Sequence, residues 1–351
     1  MIKANLKKTY NYLIRAFIIL ATWIFLYWQI FIDRRQANEL SLQSVYDQFQ
    51  ELLTASIFLW GMLLVFLLMF VNWAIEAIKW RFLISKLEQV GFMRAWEAVF
   101  TGISVSAFLP NRTGDYLGRV FILEKANHIE GILITIIGSI SQFIVIILAG
   151  SVALFVFLPE FTTTQDYLFG YFYPALLAVS LVSNSLMLLF YFNISVLGNF
   201  LKKFTPGRWK KFRDHLQAFS YFSRRELLKV LLLSLLRYFV FCFQFFLLLQ
   251  IFQVRLPYPY AMIFIPVIYL AITAIPTIAL TELGVRGSIS VYIIGLYFSL
   301  YGSGSFSVDL GIFSASSVLW LINIVIPALV GTFFVFRLKF FRKNNVHGKH
   351  K

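Results

Sequence analysis

Between Glu130 and Glu160 no side chain carries a charge, and this uninterrupted apolar run (132–158) constrains the fold more than any other feature. A transmembrane helix needs roughly 20 mostly apolar residues, and the run exceeds that. Six more runs are long enough: 12–32, 52–71, 169–192, 230–254, 256–280 and 310–336. Only 13% of the chain is charged, against roughly a quarter in a soluble domain. Such a chain cannot cover a soluble globule with polar surface. In lipid an apolar exterior costs nothing, provided every backbone group is bonded internally, which a helix achieves. The expected fold is therefore all-α, a polytopic integral membrane helical bundle of about eight transmembrane helices with one or two re-entrant or broken segments. Residues 1–351 form a single membrane domain.

Charge orients it. The 31 Lys and Arg exceed the 16 Asp and Glu, for a formal charge of +15. The excess flanks the apolar runs, so it reads as orientation and anionic-lipid contact, with no nucleic-acid partner. The segment 201–229 holds nine basic residues, Lys202 to Lys229, and belongs in the cytoplasm. The loop 159–168 carries Glu160 and Asp166 and no base, so it lies outside. The N-terminus and the basic tail 337–351 are both cytoplasmic, which demands an even number of crossings. Counting the long runs with 288–301, and treating 98–110 as re-entrant, gives eight. The basic N-terminus before 16–32 imitates a signal peptide but lacks a small-residue cleavage site, so it reads as an uncleaved first helix. A bacterial cytoplasmic membrane fits this pattern. Residues 201–226, with Trp209, Phe212, Leu216 and Phe219 three or four apart, read as a basic amphipathic surface helix.

Several chemistries find no motif. There is no G-x-x-x-x-G-K-[ST] phosphate loop. His128, His215, His347 and His350 are scattered without metal-ligand spacing, so neither a metal nor a cofactor is expected. Cys242 is the only cysteine and sits inside an apolar run as a small hydrophobe. Asn111-Arg112-Thr113 matches a glycosylation triplet but falls on the cytoplasmic side of this topology. Arg237 reads as an interfacial snorkeler, and Glu76 with Lys79 as a surface pair one turn apart.

Two stretches carry the functional signal, 108–119 and 275–288. Each follows an apolar run and joins Pro and Gly to an acid and an Arg: Pro110, Arg112, Gly114, Asp115 and Arg119, then Pro276, Glu282, Gly284, Arg286 and Gly287. Pro removes a backbone donor and Gly permits non-helical angles, so both segments read as backbone breaks. Breaks of this kind survive at membrane depth only inside protein or beside a water-filled cavity. A pair of them in the two halves of a chain points to a transport site. Arg112, Arg119 and Arg286 can grip phosphate oxygens with parallel hydrogen bonds. Asp115 and Glu282 can orient them, read a cationic head group, or take up a proton. Each arginine alone could equally snorkel; the two clusters together favour a head-group site.

At these motifs the chain resembles the flippase-like membrane domain of the lysylphosphatidylglycerol synthase transmembrane-region family. That family shows P-x-R-x-G-E followed by Arg in its first half and a G-x-G-x-R-E-like turn late in the chain. Here the first is Pro110, Arg112, Gly114 and Asp115, then Arg119; the second is Gly284, Val285 and Arg286. The likeness runs over roughly residues 6 to 341. Asp115 replaces the usual Glu, and Gly287 stands where an acid usually follows the Arg, with Glu282 on the other side. Two-part members carry a soluble aminoacyl-transferase domain after the membrane region; the chain ends at Lys351, which implies a stand-alone flippase-like protein.

The resemblance and the charges imply a transporter moving a phospholipid or polyprenyl-phosphate-type lipid between leaflets. The partners would be membrane lipids with anionic or zwitterionic head groups, and a homo-oligomer stays open. Two other readings remain: a membrane-embedded transferase with Asp115 or Glu282 as base, and a non-catalytic subunit recruiting a partner through 201–226.

Overall fold

The structure, a computed structural model, describes residues 56–106, 114–161, 167–204, 214–275, 279–302 and 306–335, and among them there is no strand. The first expected crossing (12–32), the residues Pro110, Arg112 and Pro276, the glycosylation triplet and the basic tail lie outside the described residues. Helix α1 (Ser56–Ile84) is followed by the short helices α2 (Phe92–Ser106) and α3 (Gly114–Val120). Then come α4 (His128–Phe161), α5 (Tyr167–Phe192) and α6 (Ile194–Phe204). A 3-10 turn (Leu216–Ser220) leads to α7 (Arg224–Ile251), α8 (Tyr258–Ala274) and α9 (Ala279–Tyr301). Helix α10 (Phe306–Trp320), a π turn (Leu321–Val325) and α11 (Ile326–Val335) form one continuous run.

Six of these stretches are long and apolar enough to cross a membrane, and α8 is a shorter apolar helix. The chain is thus an integral membrane protein built as a helical bundle. Helices α7, α2 and α4 surround α1, while α8 and α7 close over α4. Helix α5 is the outlier: Tyr171, Phe172, Val179, Leu181 and Val182 are all largely exposed, as lipid-facing side chains are.

Four expectations change. The run expected to end at residue 71 continues as α1 to Ile84, through Glu76, Lys79 and Arg81. Two of those charges are neutralised inside the bundle, so the helix need not stop at them. The run expected at 288–301 begins nine residues earlier, at Ala279, which puts Glu282 and Arg286 on a helix. Gly284 and Gly287 are helical too, and do not break the backbone. A Cβ at Gly287 would sit 2.5 Å from the Phe313 ring, so this glycine serves the close packing of α9 on α10. Finally, 201–226 is not one amphipathic helix. Helix α6 starts at Ile194, Leu216 and Phe219 are buried in the 3-10 turn, and Ser223 begins α7 with a reciprocal capping box to Glu226.

The α2–α3 pair folds back on itself. A Cβ at Gly118 would lie 2.7 Å from Gly102 Cα and 2.8 Å from the Thr101 carbonyl, and one at Gly114 would lie 2.5 Å from the Val105 carbonyl. Only glycines allow backbones to approach this closely. Helix α11 covers α2, with Ser104 Oγ donating to the Ala328 carbonyl.

Candidate functional site

Asn72, Glu76 and Lys79 recur at four- and three-residue spacing, so α1 presents them along one face. All three are buried. Glu76 is the hub. Its carboxylate accepts from Lys79 Nζ at 2.8 Å, from Arg119 Nη1 at 2.7 Å and from Arg237 Nη1 at 3.0 Å. Arg119, on α3, also grips Asp115 with two parallel bonds, Nε–Oδ1 at 2.8 Å and Nη2–Oδ2 at 2.6 Å. Lys79 further donates to the Gly138 carbonyl and to Ser234 Oγ, both at 3.3 Å, and Ser234 is hydrogen-bonded to Ser141 at 2.7 Å. Two core helices, α1 and α7, and α3 of the hairpin thus converge on one carboxylate, and α4 joins through Lys79.

Arg237 carries the network to a cavity. Its Nε donates to Asn72 Oδ1 at 3.1 Å, and its guanidinium lies 4.7 Å over the Trp73 ring. Asn72 in turn donates to Asn323 Oδ1 at 3.2 Å, inside the π turn, a kind of helical irregularity common at functional sites. Asn72, Trp73, Arg237 and Asn323 line a cavity of about 250 Å³. Its other walls include Gln142 from α4, Tyr238 and Phe241 from α7, Tyr269 from α8, and Glu282 with Arg286 from α9.

Arg286 is 5% exposed. Its Nη2 donates to Glu282 Oε1 at 2.9 Å, one helical turn back. Its Nε and Nη1 are buried and have no hydrogen-bond partner among the described residues. The guanidinium lies 5.8 Å from the Tyr269 ring centroid and 5.9 Å from that of Phe241. Trp73 Nε1, Gln142 Oε1 and the Tyr238 and Tyr269 hydroxyls, on residues that also line the cavity, are buried with no hydrogen-bond partner among the described residues. An unsatisfied buried polar atom costs about 1–3 kcal/mol, so their gathering around one space is a feature of the site. Most of them are donors, and two belong to a guanidinium. The arrangement can receive an oxyanion.

The four described charges of the two sequence motifs therefore share one system, in different parts. Glu282 and Arg286 line the cavity. Asp115 and Arg119 do not, and reach it through Glu76 and Arg237. Arg237 is half-buried and ion-paired, not a snorkeling residue, and the Glu76–Lys79 pair exists but is buried. The cost of a charge inside an apolar helix was the signal for both. Among the described residues no group of His, Cys, Asp and Glu could hold a metal ion.

Fold and site together define a polytopic helical membrane protein with a buried ion network beside a polar, cationic cavity. Residues 18–308 match the lysylphosphatidylglycerol synthase TM region family, and the chain belongs to it. No curated protein and no solved structure matches the chain.

Proposed function

We propose that this protein moves a phosphate-bearing lipid, a phospholipid or a polyprenyl-phosphate-type lipid, between the leaflets of a bacterial cytoplasmic membrane, with both termini inside and the α2–α3 hairpin re-entrant. The observation that carries this reading is Arg286, buried at the edge of a cavity whose other wall holds Arg237, with Nε and Nη1 finding no hydrogen-bond partner among the described residues. A phosphate there would take the fork of Arg286 while the acyl chains remain in lipid. Membership of a membrane-domain family with a lipid-related name is compatible with it. Glu282, on the same guanidinium, fixes its orientation and offers a carboxylate to an amino group of a zwitterionic lipid.

The test is lipid translocation in proteoliposomes with thermal stability measured in parallel. Arg286→Ala abolishes movement of a labelled phospholipid while the melting temperature stays near that of the parent. Arg286→Lys is also impaired, because it keeps the charge and loses the bidentate grip. Full transport by a stable Arg286→Ala protein would overturn the reading.

A further inference from the structure

We infer that Asp115–Arg119 is a second lipid-phosphate half-site, the counterpart of Glu282–Arg286 in an inverted repeat, closed in this structure and open once the two halves exchange conformations. The inference rests on the lipid-phosphate reading above and adds the place to which the head group passes from Arg286.

The same landmarks recur along the chain at one interval. Ile84 ends α1 and Ile251 ends α7, and Phe92 and Tyr258 begin the short helices α2 and α8. Pro110 and Pro276 follow, then Asp115 and Glu282, then Arg119 and Arg286. The members of each pair stand 166 or 167 residues apart. Each half thus passes from a long helix to a short apolar one, then a proline, then a helix with an acid and an Arg one turn apart. A long helix closes each half, α4 in the first and the α10–α11 run in the second.

The halves are inverted. Helices α1 and α7 cross antiparallel: the Val65 carbonyl accepts from Gln244, Asn72 from Arg237, and Ser234 from Lys79. Just past the end of α1, Lys86 pairs with Glu226 at the start of α7. The packing between halves is reciprocal. A Cβ at Gly150 of α4 would lie 3.1 Å from the Pro266 carbonyl of α8, and one at Gly331 of α11 would meet the Phe100 carbonyl of α2. Phe100 and Pro266 each stand ten residues before the proline of their own half. Equivalent positions thus touch the closing helix of the opposite half, as a two-fold relation requires. In transporters built from inverted repeats, one half moves against the other around a shared site.

The two motifs are caught in different states. Arg119 gives Nε and Nη2 to Asp115 and Nη1 to Glu76, and a Cβ at Gly118 would press α3 onto α2 at 2.7 Å from Gly102 Cα. Arg286 makes the same pair with its own acid but lines the cavity, and Gly287 seats α9 on Phe313 of α10 instead. Exchange gives each helix the setting of the other, and the cavity then opens at Arg119, towards the other leaflet. Arg119 Nη1 leaves Glu76, which keeps Lys79 and Arg237. Asp115 goes on holding the guanidinium as Glu282 holds that of Arg286, and the freed Nη1 edge receives the phosphate.

The experiment is photo-crosslinking of the full chain in proteoliposomes, with a phosphodiester lipid whose head group carries a diazirine. Mass spectrometry maps the adducts. Only those that excess unlabelled dioctanoyl phosphatidylglycerol competes away are scored, which discounts lipid bound loosely around the bundle. We expect the parent to carry competable adducts on both α9 and α3. Arg286→Ala loses those on α9 and keeps those on α3. Arg119→Lys keeps a charge beside Glu76 but lacks the fork, so it loses adducts on α3 and keeps those on α9. Parent adducts on α9 alone overturn the second half-site and leave the lipid site at Arg286 standing; this arm needs no variant. Adducts on α3 that survive unchanged in Arg119→Lys, or that vanish in a folded Arg286→Ala protein, also overturn the second half-site. A parent with no competable adduct on either helix overturns both readings.

Discussion

Arg119 Nη1 lies 2.7 Å from Glu76 Oε1, and both side chains are buried, so this ion pair adds to the packing of α2 on α1 in holding the α2–α3 hairpin to the long helix. The same carboxylate holds Lys79 and Arg237, which makes it a shared counter-ion for three cations. Glu76→Ala therefore takes a counter-ion from three cations at once, and of these Arg119 keeps Asp115. Removing one partner of a buried pair costs about 3–5 kcal/mol, and we expect a loss at the upper end of that range. Thermal unfolding in detergent measures it. A double-mutant cycle of Glu76→Gln with Arg119→Met should show coupling of about 0.5–3 kcal/mol. Additive effects would mean that the pair does not hold the hairpin.

The hairpin also depends on close backbone approach. A Cβ at Gly118 meets Gly102 Cα at 2.7 Å and the Thr101 carbonyl at 2.8 Å, atoms that cannot turn aside as a side chain can. Gly118→Ala should cost about 1–3 kcal/mol through overpacking. Gly295 is also helical and would meet nothing within 4 Å, so Gly295→Ala is the control and should be neutral or better. Equal melting temperatures for the two variants would refute the close crossing.

Outside the membrane-spanning segments, Glu88 organises the turn between α3 and α4. Its carboxylate accepts from the backbone N–H groups of Glu124, Lys125 and Ala126, the latter two at 2.7 and 3.0 Å. Partial burial opposes its ionisation, but these three donors outweigh it and hold the carboxyl below its usual value. A depressed folded value means the stabilisation is present above the unfolded pKa, about 4.3 for Glu, and is lost as pH falls through the folded one. Amide exchange of 121–127 should be slow at neutral pH and accelerate on acidification below that range. Glu88→Gln should exchange faster at neutral pH and change little with acid. A parent protein whose exchange, corrected for intrinsic rates, ignores acidification would contradict this.

The membrane-spanning pattern was legible because it needs only apolar length. Runs such as 132–158 and 169–192 lie inside α4 and α5. The acid–Arg pairs were legible for a similar local reason: Asp115–Arg119 and Glu282–Arg286 are four apart, and helical spacing joins them. What local reading missed is the hub. Glu76 meets Arg119 across 43 residues and Arg237 across 161, and nothing in a neighbourhood of sequence records such contacts. Taken alone, Glu76 and Lys79 look like the end of a helix, which is why α1 was expected to stop short. Taken with a buried counter-charge elsewhere, they allow it to continue. The asparagines follow the same course: Asn72 meets Arg237 across 165 residues and Asn323 across 251.

Arg237 separates these two kinds of reading most sharply. A snorkeling arginine at a helix end needs only charge and length, so lysine would replace it at little cost. The structure assigns it three tasks at fixed geometry: Nη1 on Glu76 at 3.0 Å, Nε on Asn72 at 3.1 Å, and a flat face 4.7 Å over Trp73. A lysine ammonium has no planar fork and cannot serve the carboxylate, the amide and the ring together. Stacking of a desolvated cation on Trp is worth about 2 kcal/mol or less, and a hydrogen bond to a charged group about 1.5–3 kcal/mol. Arg237→Lys should therefore lower the melting temperature and weaken phospholipid binding, and Arg237→Ala should do both more severely. The two losses have separate origins: stability falls because Glu76 loses a counter-ion, and binding falls because the cavity loses a cationic wall. Trp73→Phe isolates the stacking contribution, keeps both hydrogen bonds and should give the mildest defect of the three. If Arg237→Lys matches the parent in melting temperature and in lipid affinity, Arg237 is a replaceable charge and the cavity needs only Arg286.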